Sequence, residues 1–275
     1  MFIGGENIIC PLGNTAKETF GRMRDGDGSI TINNEYYSSS FSFPNYELLP
    51  LMIDSITDSF TFLQKKILSE SRTLLIVSTT KGDINFINSD IKKAHLFFLS
   101  DNIKDYFSCI DNAIVVSTAC VSGLQALIVG NDMINHNCYD NVIVCGGDLL
   151  SKFVMEGFKS FYALSESPCR PFDKDRSGLS LGEGVSTIIM SNNKSLYKEE
   201  PLRLLGGCSI NDANHISAPH REAEGLIQAI KNTLHISDIT SNDIDFVNTH
   251  GTATIYNDMM EAKALSFLGL NKTPL

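Results

Sequence analysis

A chain of 275 residues, 43% hydrophobic and 20% charged, can bury a sizeable core and is long for one domain. A formal net charge of −10 argues against nucleic acid or an anionic membrane as a partner, a local basic patch, for example around Lys65 and Lys66, being the exception to look for. The sequence has no apolar run of about eighteen residues, no basic flank at its start, and seven cysteines without C-x-x-C spacing, which leaves no membrane span, signal peptide, zinc ribbon or disulfide framework to expect. The expectation is a globular, two-lobed cytoplasmic protein with reduced thiols.

In chain order, Asn7 to Cys10 is a short strand, and Pro11-Leu12-Gly13 turns it. Thr15 with Glu18 forms a capping box for a helix that carries Ala16, Phe20 and Met23 on one face and ends at Gly26. Residues 29 to 50, rich in Ser, Asn and Tyr, have no period and read as a surface excursion. Leu51 to Leu68 has helical spacing through Ile53, Ile56, Phe60 and Leu63, and Thr73 to Val77 is a fully buried strand. An amphipathic stretch from Ile84 to Leu99 follows. Asn112 to Thr118 is then a strand, Cys120 stands just past its end, and the helix from Val121 to Asn135 is apolar nearly all round, so it is expected inside the molecule.

Val142 to Cys145 is the next strand and Gly146-Gly147 its turn. Gly178, Gly182 and Gly184 lack the Lys-Ser/Thr of a phosphate loop and run into a strand, Val185 to Met190. The polar stretch Asn192 to Pro201 joins the two lobes. Leu202 to Ile210 reads as a strand, and a helix from near His220 carries Ala223, Leu226, Ile227, Ile230 and Leu234. Asp245 to Asn248 is a strand entering the polar turn Thr249 to Thr254, and a last helix runs from about Asp258 to Gly269. Strands alternating with helices give an α/β fold whose parallel or mixed sheet is covered on both faces.

Two residues carry chemistry. A cysteine at a helix N-terminus, flanked by the small residues Ser117, Ala119, Ser122 and Gly123, has the electrostatics and the access of a nucleophilic thiolate. Cys145, inside a strand, is expected to be inert. His250 stands at the C-terminal end of a strand with Gly251, Thr252 and Thr254 beyond it, where open α/β sheets place ligand groups. His95, His136, His215, His220 and His235 are read as structural.

Four motifs in order, Thr118 to Gly123, Arg170 to Gly178, Gly182 to Gly184, and Asn248 to Thr254 with Asn257-Asp258 and Glu261 to Ala264, resemble those of β-ketoacyl-[acyl-carrier-protein] synthases. The resemblance runs from Pro11 to Gly269. It implies the thiolase-like layered α-β-α-β-α fold, with residues 1–195 as the first half and 196–275 as the start of an incomplete second half. It also implies roles. Cys120 resembles the acyl-accepting nucleophile, with its N–H in the oxyanion hole, and His250 resembles a histidine that binds the malonyl thioester carbonyl. Thr252 and Thr254 resemble hydroxyls that hold the phosphopantetheine arm, and Glu261 a buried structural acid. No metal or other cofactor is implied, because substrates ride on the phosphopantetheine of acyl carrier protein. The implied partners are that carrier protein and a second copy, with Asn141 to Gly147 as the expected dimer edge, or a complementing synthase-like chain.

The family's second histidine, a following lysine and a glycine-rich oxyanion loop fall at positions past Leu275. The expected reading is therefore a truncated synthase or a segment of a longer one, disordered or aggregation-prone after about Pro201 and unable by itself to decarboxylate malonyl-carrier protein. Three functions stand: a condensing enzyme using Cys120, a silent homologue serving as partner subunit, and another thiol acyltransferase on the same fold.

Overall fold

The computed structural model describes residues 1–33, 35–42, 46–60, 62–69, 71–197, 200–212 and 219–275. His215 and the side chains of Leu63 and Lys65 lie outside the described residues. The strands are β1 (Phe2–Ile9), β2 (Thr31–Asn33), β3 (Tyr36–Ser39), β4 (Thr73–Ser78), β5 (Asn112–Val116), β6 (Asn141–Asp148), β7 (Leu181–Gly182), β8 (Gly184–Ser191) and β9 (Leu202–Arg203). The helices are α1 (Ala16–Arg24), α2 (Leu48–Ser59), α3 (Phe62–Ser69), α4 (Ile91–Ala94), α5 (Leu96–Tyr106), α6 (Ser122–Asn135), α7 (Lys152–Ser160), α8 (Glu224–Ser237) and α9 (Ile255–Phe267). Two compact units result: Met1–Ser29, Ser39–Val154 and Gly182–Leu204 form the first, and Ile30–Ser38, Met155–Leu181 and Leu205–Leu275 the second.

The first unit is built on a mixed sheet of order β5-β4-β6-β8-β1-β9. Strands β5, β4 and β6 run parallel, so their C-terminal ends lie along one edge, while β8 is antiparallel to both β6 and β1. Period-two alternation divides the core in two. Leu75, Val77, Ile143, Cys145 and Ile189 face Leu48, Met52 and Ile56 of α2, while Leu74, Ile76, Val142, Val144 and Met190 face Ala126 and Ile134 of α6. Each large side chain so buried contributes roughly 1.5–3 kcal/mol. Helix α6 approaches closely because Gly130 has no Cβ: one built there would stand 2.9 Å from Met190 Sδ and 3.1 Å from Val142 Cγ1.

Several expectations change. β6 is central, between β4 and β8, so Asn141 to Gly147 is no dimer edge; the outer strand on that side of the sheet is β5. β6 also continues through Gly146-Gly147 to Asp148 instead of turning there. Helix α6 is buried on one face only, with Leu124 65% exposed, because a single sheet supports it within this unit. Phe20 and Met23 are exposed although the capping bonds form, Thr15 Oγ1 accepting from the Glu18 amide at 3.1 Å. The single helix expected over Leu51 to Leu68 divides where Phe60 turns extended, and Ile84 to Leu99 holds a short 3-10 turn, α4 and the start of α5. The surface excursion contains the β2–β3 hairpin and the buried Phe41 and Leu48.

In the second unit α8 and α9 pack against each other, with Lys231 Nζ 4.8 Å from the centre of the Phe267 ring. The strand expected over Leu202 to Ile210 is paired only at Leu202–Arg203, and Asp245 to Asn248 is in no ladder among the described residues. Both stretches carry strand-forming side chains, but a ladder needs a neighbour to receive its hydrogen bonds. Helix α8 has no fully buried residue, so Leu226, Ile227 and Ile230 are half-covered as expected, whereas Leu265 of α9 is buried.

Candidate active site

The C-terminal ends of β4, β5 and β6 bring three loops together in the first unit, as the parallel pairing requires. Ser78 to Gly82 follows β4, Ser117 to Val121 follows β5, and Gly146 to Asp148 ends β6. The loops are tied to one another: the Thr79 amide donates to Val116 O at 3.3 Å, and Ser117 Oγ donates to Thr80 O at 3.2 Å. Cys120 is exposed on the middle loop, one residue before the helix cap Val121. It lines an open cleft of about 440 Å³, whose other walls include Ser78, Thr80, Gly147, Asp148 and Ser186.

The loop before Cys120 is held in an uncommon shape. Ala119 has φ +51°, a left-handed conformation that costs a residue with a Cβ about 1–2 kcal/mol. Ser122 fixes it from both sides, its hydroxyl accepting from the Thr118 amide at 2.8 Å and donating to Ala119 O at 2.6 Å. Cys145, only a few residues from the same cleft along β6, differs completely. Its thiol is enclosed by the core, and burial pushes its pKa from 9.0 up to about 12, so it stays protonated and inert.

The other expected residues lie in the second unit and form their own turn. His250 is exposed, Gly251 and Ala253 have φ +53° and +60°, and the hydroxyls of Thr252 and Thr254 are 2.8 Å apart. Glu261, 6% exposed on α9, accepts from the amides of His250 and Gly251 at 2.8 Å each and from Asn257 Nδ2 at 3.1 Å. The arginine-rich motif reaches the same turn. Arg176 pairs with the buried Asp258 at 3.4 Å and donates to Thr254 O at 3.4 Å and Ile255 O at 2.9 Å, while Asp258 accepts from the Phe172 amide at 2.8 Å.

Sequence reading missed two groups in the first unit. Asp148 Oδ1 accepts from Lys81 Nζ at 2.7 Å, from Thr80 Oγ1 at 2.8 Å and from Thr79 Oγ1 at 3.0 Å, beside the Cys120 cleft. Asp148 is the last residue of β6 and Lys81 lies three residues past β4, so no local pattern in the sequence marks the two as partners. Buried within this unit too, Glu183 accepts from the amides of Phe41 and Leu150 at 2.8 Å and from the Tyr46 hydroxyl, tying three segments together.

The chain is similar to known proteins along most of its length. The family described as "Beta-ketoacyl synthase, N-terminal domain" matches residues 97–195, and "Beta-ketoacyl synthase, C-terminal domain" matches residues 203–273, together well over half of the chain. A 3-oxoacyl-[acyl-carrier-protein] synthase 2 of Coxiella burnetii is 34% identical over 166 residues, which cover 55% of this chain and 39% of that protein. The match thus spans well under half the length of its curated relative. Among solved structures, a ketosynthase (ApeO) in complex with its chain length factor (ApeC) from Xenorhabdus doucetiae aligns at TM-score 0.85 and 22% identity, covering 98% of this chain and 76% of that one. A type II polyketide synthase ketosynthase, AntDE with the acyl-carrier protein AntF, aligns at TM-score 0.83 and 17% identity, with 97% and 77% covered. These likenesses show that the chain has the ketosynthase fold.

Proposed function

The chain belongs to the β-ketoacyl synthase family, and from that premise we propose that the whole protein condenses an acyl thioester on Cys120 with malonyl-acyl carrier protein in fatty acid or polyketide synthesis. The Cys120 thiolate attacks the acyl thioester carbonyl, the new C–S bond forms, and the carrier thiol leaves with a proton. Malonyl thioester then loses carbon dioxide, and its enolate attacks the acyl group, returning the sulfur as thiolate. Donors at the thioester oxygens, His250 and the Cys120 amide among them, stabilise the developing negative charge. Thr252 and Thr254 hold the phosphopantetheine arm, and Glu261 fixes the backbone that presents His250. The reaction draws on no metal or further cofactor.

The observation that carries this reading is Cys120 exposed on a cleft at the C-terminal ends of parallel strands, preceded by a left-handed alanine. Incubating the full-length protein with acyl-carrier protein substrates should yield a thioester adduct on Cys120, located by peptide mass mapping. Cys120→Ala should abolish it. An adduct on Cys138 or Cys169 instead, or none at all, would overturn the assignment. A silent subunit is the weaker reading, because it has no use for an exposed cysteine at this place.

Carrier protein and a second copy of the chain are the proposed partners, and the cytoplasm the proposed location. β5 supplies the support for dimerisation: it pairs only with β4 among the described strands, so its outer side can receive another strand. Sedimentation should show a dimer at micromolar concentration, and a stable monomer there would count against it.

A further inference from the structure

We propose that Asp148 is a positioning residue for Cys120: through the loop after β4 it holds the loop that carries the sulfur, and so sets the maximal rate at which Cys120 is acylated. This rests on the acyl-enzyme reading above and adds a residue to it. Asp148 stands in the wall of the Cys120 cleft, at the end of β6. Its carboxylate gathers the loop after β4. The Thr79 hydroxyl donates to Oδ1 at 3.0 Å, the Thr80 hydroxyl at 2.8 Å and Lys81 Nζ at 2.7 Å, while the Thr80 amide donates to Oδ2 at 3.0 Å. These donors come from consecutive residues, so one side chain fixes the course of that loop.

The loop so held is the one to which the Cys120 loop is tied. The β4–β5 ladder ends at Ser78 and Val116, and beyond it two bonds cross among the described residues: the Thr79 amide to Val116 O at 3.3 Å and Ser117 Oγ to Thr80 O at 3.2 Å. Ser122 restrains Thr118 and Ala119 as well, but from the first residue of α6, so it ties their loop to the helix and not to the strand ends that form the opposite wall. Ala119 at φ +51° is the reason both restraints matter. A strained backbone persists only where its surroundings over-determine it, and a loop released on one side lets that residue relax. The sulfur then moves relative to the cleft wall against which the thioester lies. A misplacement of about 1 Å costs on the order of a hundredfold in rate.

In the test, acylation of the full-length protein by acetyl pantetheine thioester is followed by intact mass in single turnovers over a range of donor concentrations, which separates the maximal rate from the half-saturating concentration. Asp148→Asn keeps the size of the side chain but leaves one acceptor oxygen for the same four donors. It should lower the maximal rate by about tenfold or more and leave the half-saturating concentration unchanged. Ser117→Ala cuts the same connection at its other end and should do likewise. The double variant should be no slower than the slower single one, because both changes break one path. Ser55→Ala removes a buried hydrogen bond, to Thr187 at 2.8 Å, from α2, which supplies none of the described residues of the cleft wall, and should keep the wild-type maximal rate. A wild-type maximal rate in Asp148→Asn overturns the proposal, as does a loss confined to the half-saturating concentration. A double variant slowed by the product of the single effects, or a Ser55→Ala rate that falls as far, also overturns it. Should Asp148→Asn fail to fold, Ser117→Ala decides alone, and an unchanged maximal rate there overturns the proposal. All of these outcomes leave Cys120 acylated and the condensing function standing, whereas no adduct on wild-type Cys120 removes the function and this proposal together.

Discussion

Cys145 shows how position alone sets the protonation of a thiol. Cys145 titrates near 12 when folded and near 9.0 when exposed, so between these values the unfolded chain binds fewer protons than the native one. Linkage then requires stability to fall as pH rises through that window, by about 1.4 kcal/mol per unit for this group, and to be unaffected by it below pH 9. Cys145→Ala should flatten that part of the profile relative to wild type in denaturant titrations at pH 8 to 11, whatever fixed offset the lost sulfur adds. Unchanged slopes would mean that the thiol is not enclosed. Glu261 offers a second measurement. Its carboxylate receives two backbone amides at the His250 turn, and Glu261→Gln, keeping the shape but weakening both bonds, should cost about 1–3 kcal/mol and loosen His250. Thermal unfolding and the rate of malonyl decarboxylation check the two effects separately.

At the scale of elements, helix α6 supplies a sign reversal. Glycine to alanine in a helix interior ordinarily stabilises by roughly 0.5–1 kcal/mol, and Gly21 in α1, with open space where its Cβ would go, should behave so. Gly130→Ala should instead destabilise by about 1–3 kcal/mol, since its methyl enters the space of the buried Met190 and Val142. Equal effects at the two positions would mean that α6 stands further from the sheet. Local pattern made some elements legible and others not. β4, β6 and β8 were readable because they are short apolar runs rich in β-branched residues, and Thr15 with Glu18 announced α1. The division of α2 from α3 at Phe60 was hidden because the apolar spacing continues across it. The place of Cys120 past the end of β5 was readable from the apolar run and its small neighbours, whereas the strand expected before His250 is in no ladder among the described residues. The Lys81–Asp148 pair was not readable, since 67 positions separate residues that only the β4–β6 register brings side by side.

For the molecule as a whole, order should be uneven. The first unit holds a six-stranded sheet cored on both faces, while residues 205–275 have no strand ladder among the described residues and expose Phe246, Ile255, Met259 and Phe267. Hydrogen exchange should therefore be slow in β4, β6 and β8 and orders of magnitude faster across α8 and the Asp245 to Asn248 stretch. Equal protection in both units would show that side-chain packing compensates for the missing ladder. The sequence misjudged this region for the same reason. It displayed strand composition at Leu202 to Ile210 and Asp245 to Asn248, and composition does not say whether a neighbouring strand is present.

The sheet order also sets a schedule. β1 is made well before its long-ladder partner β8, which leaves the ribosome about 180 residues later. At about 5–20 residues per second, β1 waits roughly ten to forty seconds for that partner. Gly5 at φ +59° and the register break between Gly4 and Asn7 bend that strand where a straight one would template foreign pairing. The bulge that looks like a flaw in the finished sheet thus also makes β1 a poorer template while it waits.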